Sequence, residues 1–153
     1  MPTNVLRQSS KRSAKPAAGG RTPAAAARIV LVRAAAVEIR VRLLDTTTAD
    51  RIWAALPIRS TAEIWGEEIF FETTVESGRE RQARAIVKPG EIAFAPDRDV
   101  IAIAYGRTPL SKKGETRLWS PSNIWGEALD DVRQLASVRP GAQVEVVAMA
   151  DPV

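Results

Sequence analysis

The 153-residue chain contains neither cysteine nor histidine. Together these absences exclude disulfides, thiolate nucleophiles, cysteine or imidazole zinc sites, iron–sulfur clusters and any triad that needs histidine as its base. Aromatic residues are scarce: four Trp, three Phe and one Tyr. No apolar run approaches the roughly 20 residues of a membrane span, and no apolar stretch has the form of a secretory signal. Neither a Walker pattern nor a Gly-x-Gly-x-x-Gly run occurs. No acidic residues fall at calcium-loop spacing, so neither a metal nor a cofactor is expected.

Charge is present but unevenly placed. Residues 1–28 carry Arg7, Lys11, Arg12, Lys15, Arg21 and Arg28 and no acid, whereas the remaining 125 residues have 16 basic and 18 acidic groups. The net charge of +4 and the pI near 10 therefore belong to the leading segment rather than to the body. Rich in Ala, Ser, Pro, Gly and Arg, residues 1–28 lack the apolar surface needed to offset their ordering entropy and are expected to be a disordered basic tail. The alternatives for it are weak polyanion or nucleic-acid contact, an organelle-targeting segment, or an over-extended translation start. Residues 29–153 form the expected folded domain, with a cytoplasmic location and no membrane contact.

The body reads as short strands between turns, with two short helices. Ala27–Val32 is a first strand. In Val37–Leu43 the residues Val37, Ile39, Val41 and Leu43 alternate with charged neighbours, the pattern of a half-buried antiparallel strand. Thr47 and Asp50 resemble a capping box. Ala49, Ile52, Trp53 and Leu56 then share a helical face that Pro57 terminates. Glu67–Val75 is a strand with Ile69, Phe71, Thr73 and Val75 on one face and Phe70 on the other. Glu76–Ala83 is a polar arm. Lys88-Pro89-Gly90-Glu91 joins two short strands by a type II turn, and the continuous apolar run Val100–Tyr105 predicts a central strand covered on both faces. Gly106–Leu118 reads as a polar loop, Asn123–Glu127 as a short strand, and Leu129, Val132, Leu135 and Ala136 as a second amphipathic helix. The last strand contains Val144 and Val146. Such a succession of short strands with two helical plugs predicts an all-β, closed barrel.

Specific motifs sharpen this. In order, the chain carries Ala55-Leu56-Pro57, Ala62-Glu63-Ile64-Trp65-Gly66-Glu67-Glu68-Ile69-Phe70-Phe71, Lys88-Pro89-Gly90-Glu91-Ile92-Ala93-Phe94, Tyr105-Gly106-Arg107-Thr108-Pro109 and Ser120-Pro121-Ser122-Asn123-Ile124-Trp125-Gly126. This order resembles the small prokaryotic cyclophilin-like domains of unassigned function, over nearly all of Ile29–Val147. The resemblance implies a closed eight-stranded barrel capped by two short helices, with a packed interior and any ligand groove on the outer surface. Prolyl isomerases of this fold carry a Phe-His-Arg segment and a second His, which a chain without histidine cannot supply.

The leading expectation is therefore a groove that binds a small molecule or a proline-containing peptide, lined by Trp65, Phe70, Tyr105, Arg107, Pro109 and Asn123. Arg107 would supply charge, Asn123 hydrogen bonds and the aromatics contact area. Against it stands the simpler alternative that the aromatics pack the barrel ends and that Arg107 is a solvated loop residue. A second expectation is a divergent prolyl isomerase in which Arg107 or Arg59 hydrogen-bonds the imide nitrogen of the twisted transition state. Glu67 and Glu68 are adjacent on a strand and so do not pair with each other. A catalytic carboxylate among them would need a strongly raised pKa in a dry pocket. Ile-Trp-Gly-Glu occurs twice, at 64–67 and 124–127, and reads as coincidence or as two similar strand-end turns.

Overall fold

The alternation in Val37–Leu43 is realised residue for residue. Strand β2 spans Val37–Leu43, burying Ile39, Val41 and Leu43 and exposing Glu38, Arg40 and Arg42. The structure, a computed structural model, describes residues 27–149. The expected basic tail thus lies almost entirely outside the described residues. Strand β1 (Ile29–Ala34) begins two residues later than expected and pairs antiparallel with β2.

Helix α1 (Thr47–Ala55) buries Ala49 and Ile52 and lays Trp53 and Leu56 against the core. Its N-cap is Thr46, whose hydroxyl accepts the Ala49 N–H at 3.0 Å, not Thr47 as the sequence pattern implied. Three successive threonines offer equivalent caps, and sequence cannot choose among them. The expected second α-helix is a six-residue 3-10 helix, Val132–Ser137, capped by the Asp131 side chain. Its buried residues, Val132 and Leu135, are three apart, which suits the three-residue turn, and Leu129 is exposed.

The remaining strands are β3 (Ile58–Thr61), β4 (Glu63–Ile64), β5 (Glu68–Glu72), β6 (Arg84–Val87), β7 (Glu91–Ala95), β8 (Val100–Ala104), β9 (Thr116–Ala128) and β10 (Gln143–Ala148). Their order in the sheet is β3-β10-β1-β2-β9-β7-β8-β5-β4, and β6 pairs with β9 off this path. Only Ala62 separates β3 from β4, so the two ends of the order are one ribbon turning a corner. That corner is pinned to the segment before β10: the Ala62 N–H donates to the Ala142 carbonyl and the Ala62 carbonyl accepts from the Gly141 N–H, both at 2.8 Å. Counting β3 and β4 as one, eight staves enclose an all-β barrel. Its interior is packed with Ile39, Ile69, Phe71, Phe94, Ile101 and Trp125, each 0% exposed, as in other small barrels.

All five residues of β8 are buried, so this strand is covered on both faces. Ile101 and Ile103 face the interior, while Ala102 and Ala104 belong to a second, outer apolar cluster with Val87, Ala93, Leu118 and Ile124. The cover is β9, which is far longer than the short strand expected. Its leading part pairs with β6 and its trailing part with β7 and β2. β6 and the start of β9 thus form a two-stranded ribbon over the outside of β7 and β8, occupying part of what reads in sequence as a polar loop.

Candidate functional site

The recess beneath the ribbon follows from strand register. Alternation puts Glu68 and Phe70 on the outer face, opposite Ile69 and Phe71. Glu68 lies beside Ala104 and Phe70 beside Ala102 on β8, and Ala102 lies beside Ala93 on β7. Alanines here leave a low floor between taller neighbours. A cavity of about 240 Å³ results, floored by Ala95, Val100 and Ala102 and walled by Trp65, Glu68, Phe70, Arg98, Leu118 and Trp119. Ser120 and Ser122 complete its lining.

The walls hold one another. The Trp65 and Trp119 rings meet edge to face, with centroids 5.7 Å apart and planes at 69°. The Arg98 guanidinium carbon lies 5.3 Å from the Phe70 ring centroid and 5.9 Å from that of Trp119. Each such cation–π contact contributes about 0.5–1 kcal/mol where exposed and more when dry. Trp119 nevertheless remains 58% exposed, a large apolar surface at the mouth of a recess.

Glu68 is the unusual member. It is 4% exposed, its Oε1 is buried without a hydrogen-bonding partner, and no ion pair neutralises it among the described residues. Burial pushes its carboxyl up to about 7, against the opposing pull of Arg98. Such a raised carboxyl is a consequence of burial that the amino-acid sequence cannot display. A group half-protonated near neutrality can accept or donate a proton or a hydrogen bond there.

Of the six residues expected to share a groove, Trp65 and Phe70 line this cavity and the other four stand elsewhere. Tyr105 packs against the interior core, and burial, reinforced by the charge of Glu67, raises its phenol. Arg107 is exposed and serves through its backbone: its N–H donates to Glu67 Oε1 and its carbonyl accepts the Glu67 N–H, both at 2.8 Å. Pro109 packs on Gly66, where a Cβ would stand 2.9 Å from both Pro109 Cδ and the Arg107 carbonyl oxygen. Asn123 is fully buried and faces the polar arm: its amide donates to Thr48 Oγ1 and the Gly78 carbonyl, and its Oδ1 accepts the Glu80 N–H. Glu80 in turn accepts from the Thr48 N–H and hydroxyl, tying arm 76–83 to the start of α1. Arg59, the other isomerase candidate, is exposed and ion-paired with Glu145 at 3.2 Å.

Sequence reasoning missed Arg98, Trp119 and the environment of Glu68. Trp119 carried one available signal, a lone large aromatic between polar residues; Arg98 carried none. Among the described residues no group of acidic side chains is arranged to hold a metal ion, and no helix is long and apolar enough to cross a membrane.

Comparison with known proteins agrees with this architecture. The chain is similar to the hypothetical protein AF2241 from Archaeoglobus fulgidus, known from a solution structure, with 30% identity over 82% of this chain and 98% of that one at a TM-score of 0.70. It also shares its fold with McbB, solved in complex with tryptophan, at 14% identity and a TM-score of 0.60, covering 81% of this chain and 46% of McbB. No curated protein matches. The Cyclophilin-like family model matches residues 27–147. With a barrel of eight staves and this match over most of its length, the chain belongs to the Cyclophilin-like family.

Proposed function

We propose that this domain binds a small molecule in the outer cavity, in a cytoplasmic setting. The observation that carries the reading is Glu68: a buried carboxyl without a partner, at the wall of a recess whose other walls are Trp65, Phe70 and Trp119. An unsatisfied buried acceptor costs about 1–3 kcal/mol, which a ligand bearing a donor would recover. Small-molecule sites combine such apolar walls with a few placed polar groups. At about 240 Å³ the space suits a ligand of one or two rings rather than a folded partner.

A ligand that binds only the folded state raises its melting temperature. A thermal-shift screen of small ring compounds bearing N–H or O–H donors should therefore give concentration-dependent shifts, lost in Trp119→Ala. Trp119 is exposed enough for that variant to fold. Shifts that survive in Trp119→Ala, or a screen in which no compound shifts the protein, would overturn the reading.

A second reading, a divergent prolyl isomerase, is favoured by one observation: an arginine does stand beside an apolar recess. It is Arg98, held over Phe70, rather than Arg107 or Arg59. Isomerisation needs no covalent step, and its barrier of about 18–20 kcal/mol is lowered by twisting the imide. Acceleration of a proline peptide's isomerisation, lost in Arg98→Ala, would support it; a rate at background would remove it.

A further inference from the structure

The cavity contains two opposite charges that do not neutralise each other. Arg98 is held by the faces of Phe70 and Trp119, and among the described residues its guanidinium forms neither a hydrogen bond nor an ion pair. Glu68, at the same cavity, feels Arg98 through space yet has no hydrogen bond to it. Glu68 is thus buried and Arg98 exposed at the rim of the same recess, and neither is tied to another charged side chain, so both are available to a ligand's polar groups.

This pairing discriminates among ligands. An organic ammonium alone would satisfy Glu68 but bring a second positive charge beside Arg98. A carboxylate alone would satisfy Arg98 but face Glu68. A neutral ligand would supply neither group with an opposite charge. A molecule carrying both groups meets each demand and adds no net charge. The space available exceeds the roughly 150 Å³ of an apolar cavity that holds benzene, so a skeleton of several carbons fits at about 240 Å³.

We propose that the cavity takes a small zwitterion of the amino-acid type, with its ammonium on the Glu68 carboxylate, its carboxylate on the Arg98 guanidinium and its apolar side chain against Trp65, Phe70 and Trp119. The inference rests on the small-molecule reading above and specifies its ligand class.

Isothermal titration of the full chain tests it with L-leucine and L-phenylalanine. The comparison compounds are their truncated relatives: isopentylamine and phenethylamine, which lack the carboxylate, and 4-methylpentanoate and 3-phenylpropanoate, which lack the ammonium. The amino acids should bind, and each truncated compound should bind about 10- to 100-fold more weakly, the scale of one lost charge-assisted hydrogen bond. Glu68→Gln should erase the preference for leucine over 4-methylpentanoate, and Arg98→Met the preference over isopentylamine. The comparison among ligands on the unaltered protein stands even if a variant fails to fold. Truncated compounds binding as tightly as the amino acids would overturn the zwitterion. So would silence from the amino acids while uncharged ring compounds bind, a result that leaves the cavity itself a binding site. If neither amino acids nor ring compounds bind, both readings fall.

Discussion

Replacing Glu68 by Gln should make the protein more stable at neutral and mildly alkaline pH. The carboxyl sits near 7 in the folded state because burial disfavours its charged form, against an ordinary value of 4.5. Between those two values the folded chain holds a proton that the unfolded chain has released. Stability therefore falls as pH rises from about 4.5 to about 7 and stays reduced above it. At 1.36 kcal/mol per pKa unit the accumulated loss is about 3 kcal/mol. For a domain of this size that corresponds to a melting temperature lower by on the order of 10 °C. Glu68→Gln keeps the shape and removes the titration. Melting curves of both proteins from pH 5 to pH 8 should start close together and diverge, the Gln variant gaining as pH rises. The lowered carboxyls of Glu91, Glu115, Asp130 and Asp131, each held down chiefly by an arginine, act in the opposite sense and only at more acidic pH. Parallel curves across pH 5–8, or a wild type that is the more stable at pH 8, would refute the argument that Glu68 is desolvated.

Three further expectations concern the frame around the cavity. Asn123→Ala removes the three hydrogen bonds of a buried side chain, one buried and two part-buried, and should cost about 3 kcal/mol in a urea titration, with faster protease cleavage within 76–83; a loss below about 1 kcal/mol would show that the arm is held by other means. Gly66→Ala places a Cβ against the Arg107 carbonyl at a φ of +62° and should lower stability by about 1–3 kcal/mol; an unchanged melt would mean that the turn relaxes freely. Arg107→Ala should leave every ligand-induced thermal shift intact, because its guanidinium stands outside the cavity; a lost shift would return Arg107 to the site.

Strands with one wet face were legible because period-two alternation marks them directly, as in Val37–Leu43, and a strand covered on both faces was legible in Val100–Ala104 from its unbroken apolar run. β9 was not. Ser120-Pro121-Ser122 has the composition of a turn, yet it lies within one strand. Pro121 is tolerated because it falls at the register shift in the pairing with β6, between Arg117, which pairs with Ile86, and Ser122, which pairs with Arg84. The repeated Ile-Trp-Gly-Glu shows the same limit. At 64–67 it makes a turn, with Gly66 in the left-handed region; at 124–127 it lies inside β9, where Trp125 is fully buried and a Cβ on Gly126 would stand 2.5 Å from Val41 Cγ1. One tetrapeptide thus has two environments, decided by neighbours distant in sequence. Trp65 and Phe70 could be nominated from their residue type and strand face. Arg98, Trp119 and the isolation of Glu68 arise only when β5, β8 and the ribbon are brought into register, information that no local window contains.

The two apolar clusters lie on opposite sides of β7 and β8, one filling the cylinder and one beneath the ribbon. Duties are thereby separated across the thickness of a single sheet. Changes to the outer side chains reshape the recess, while the inner ones go on holding the hoop shut. A descendant of this fold can remodel that recess through a handful of exterior substitutions, without renegotiating the packing that keeps it folded.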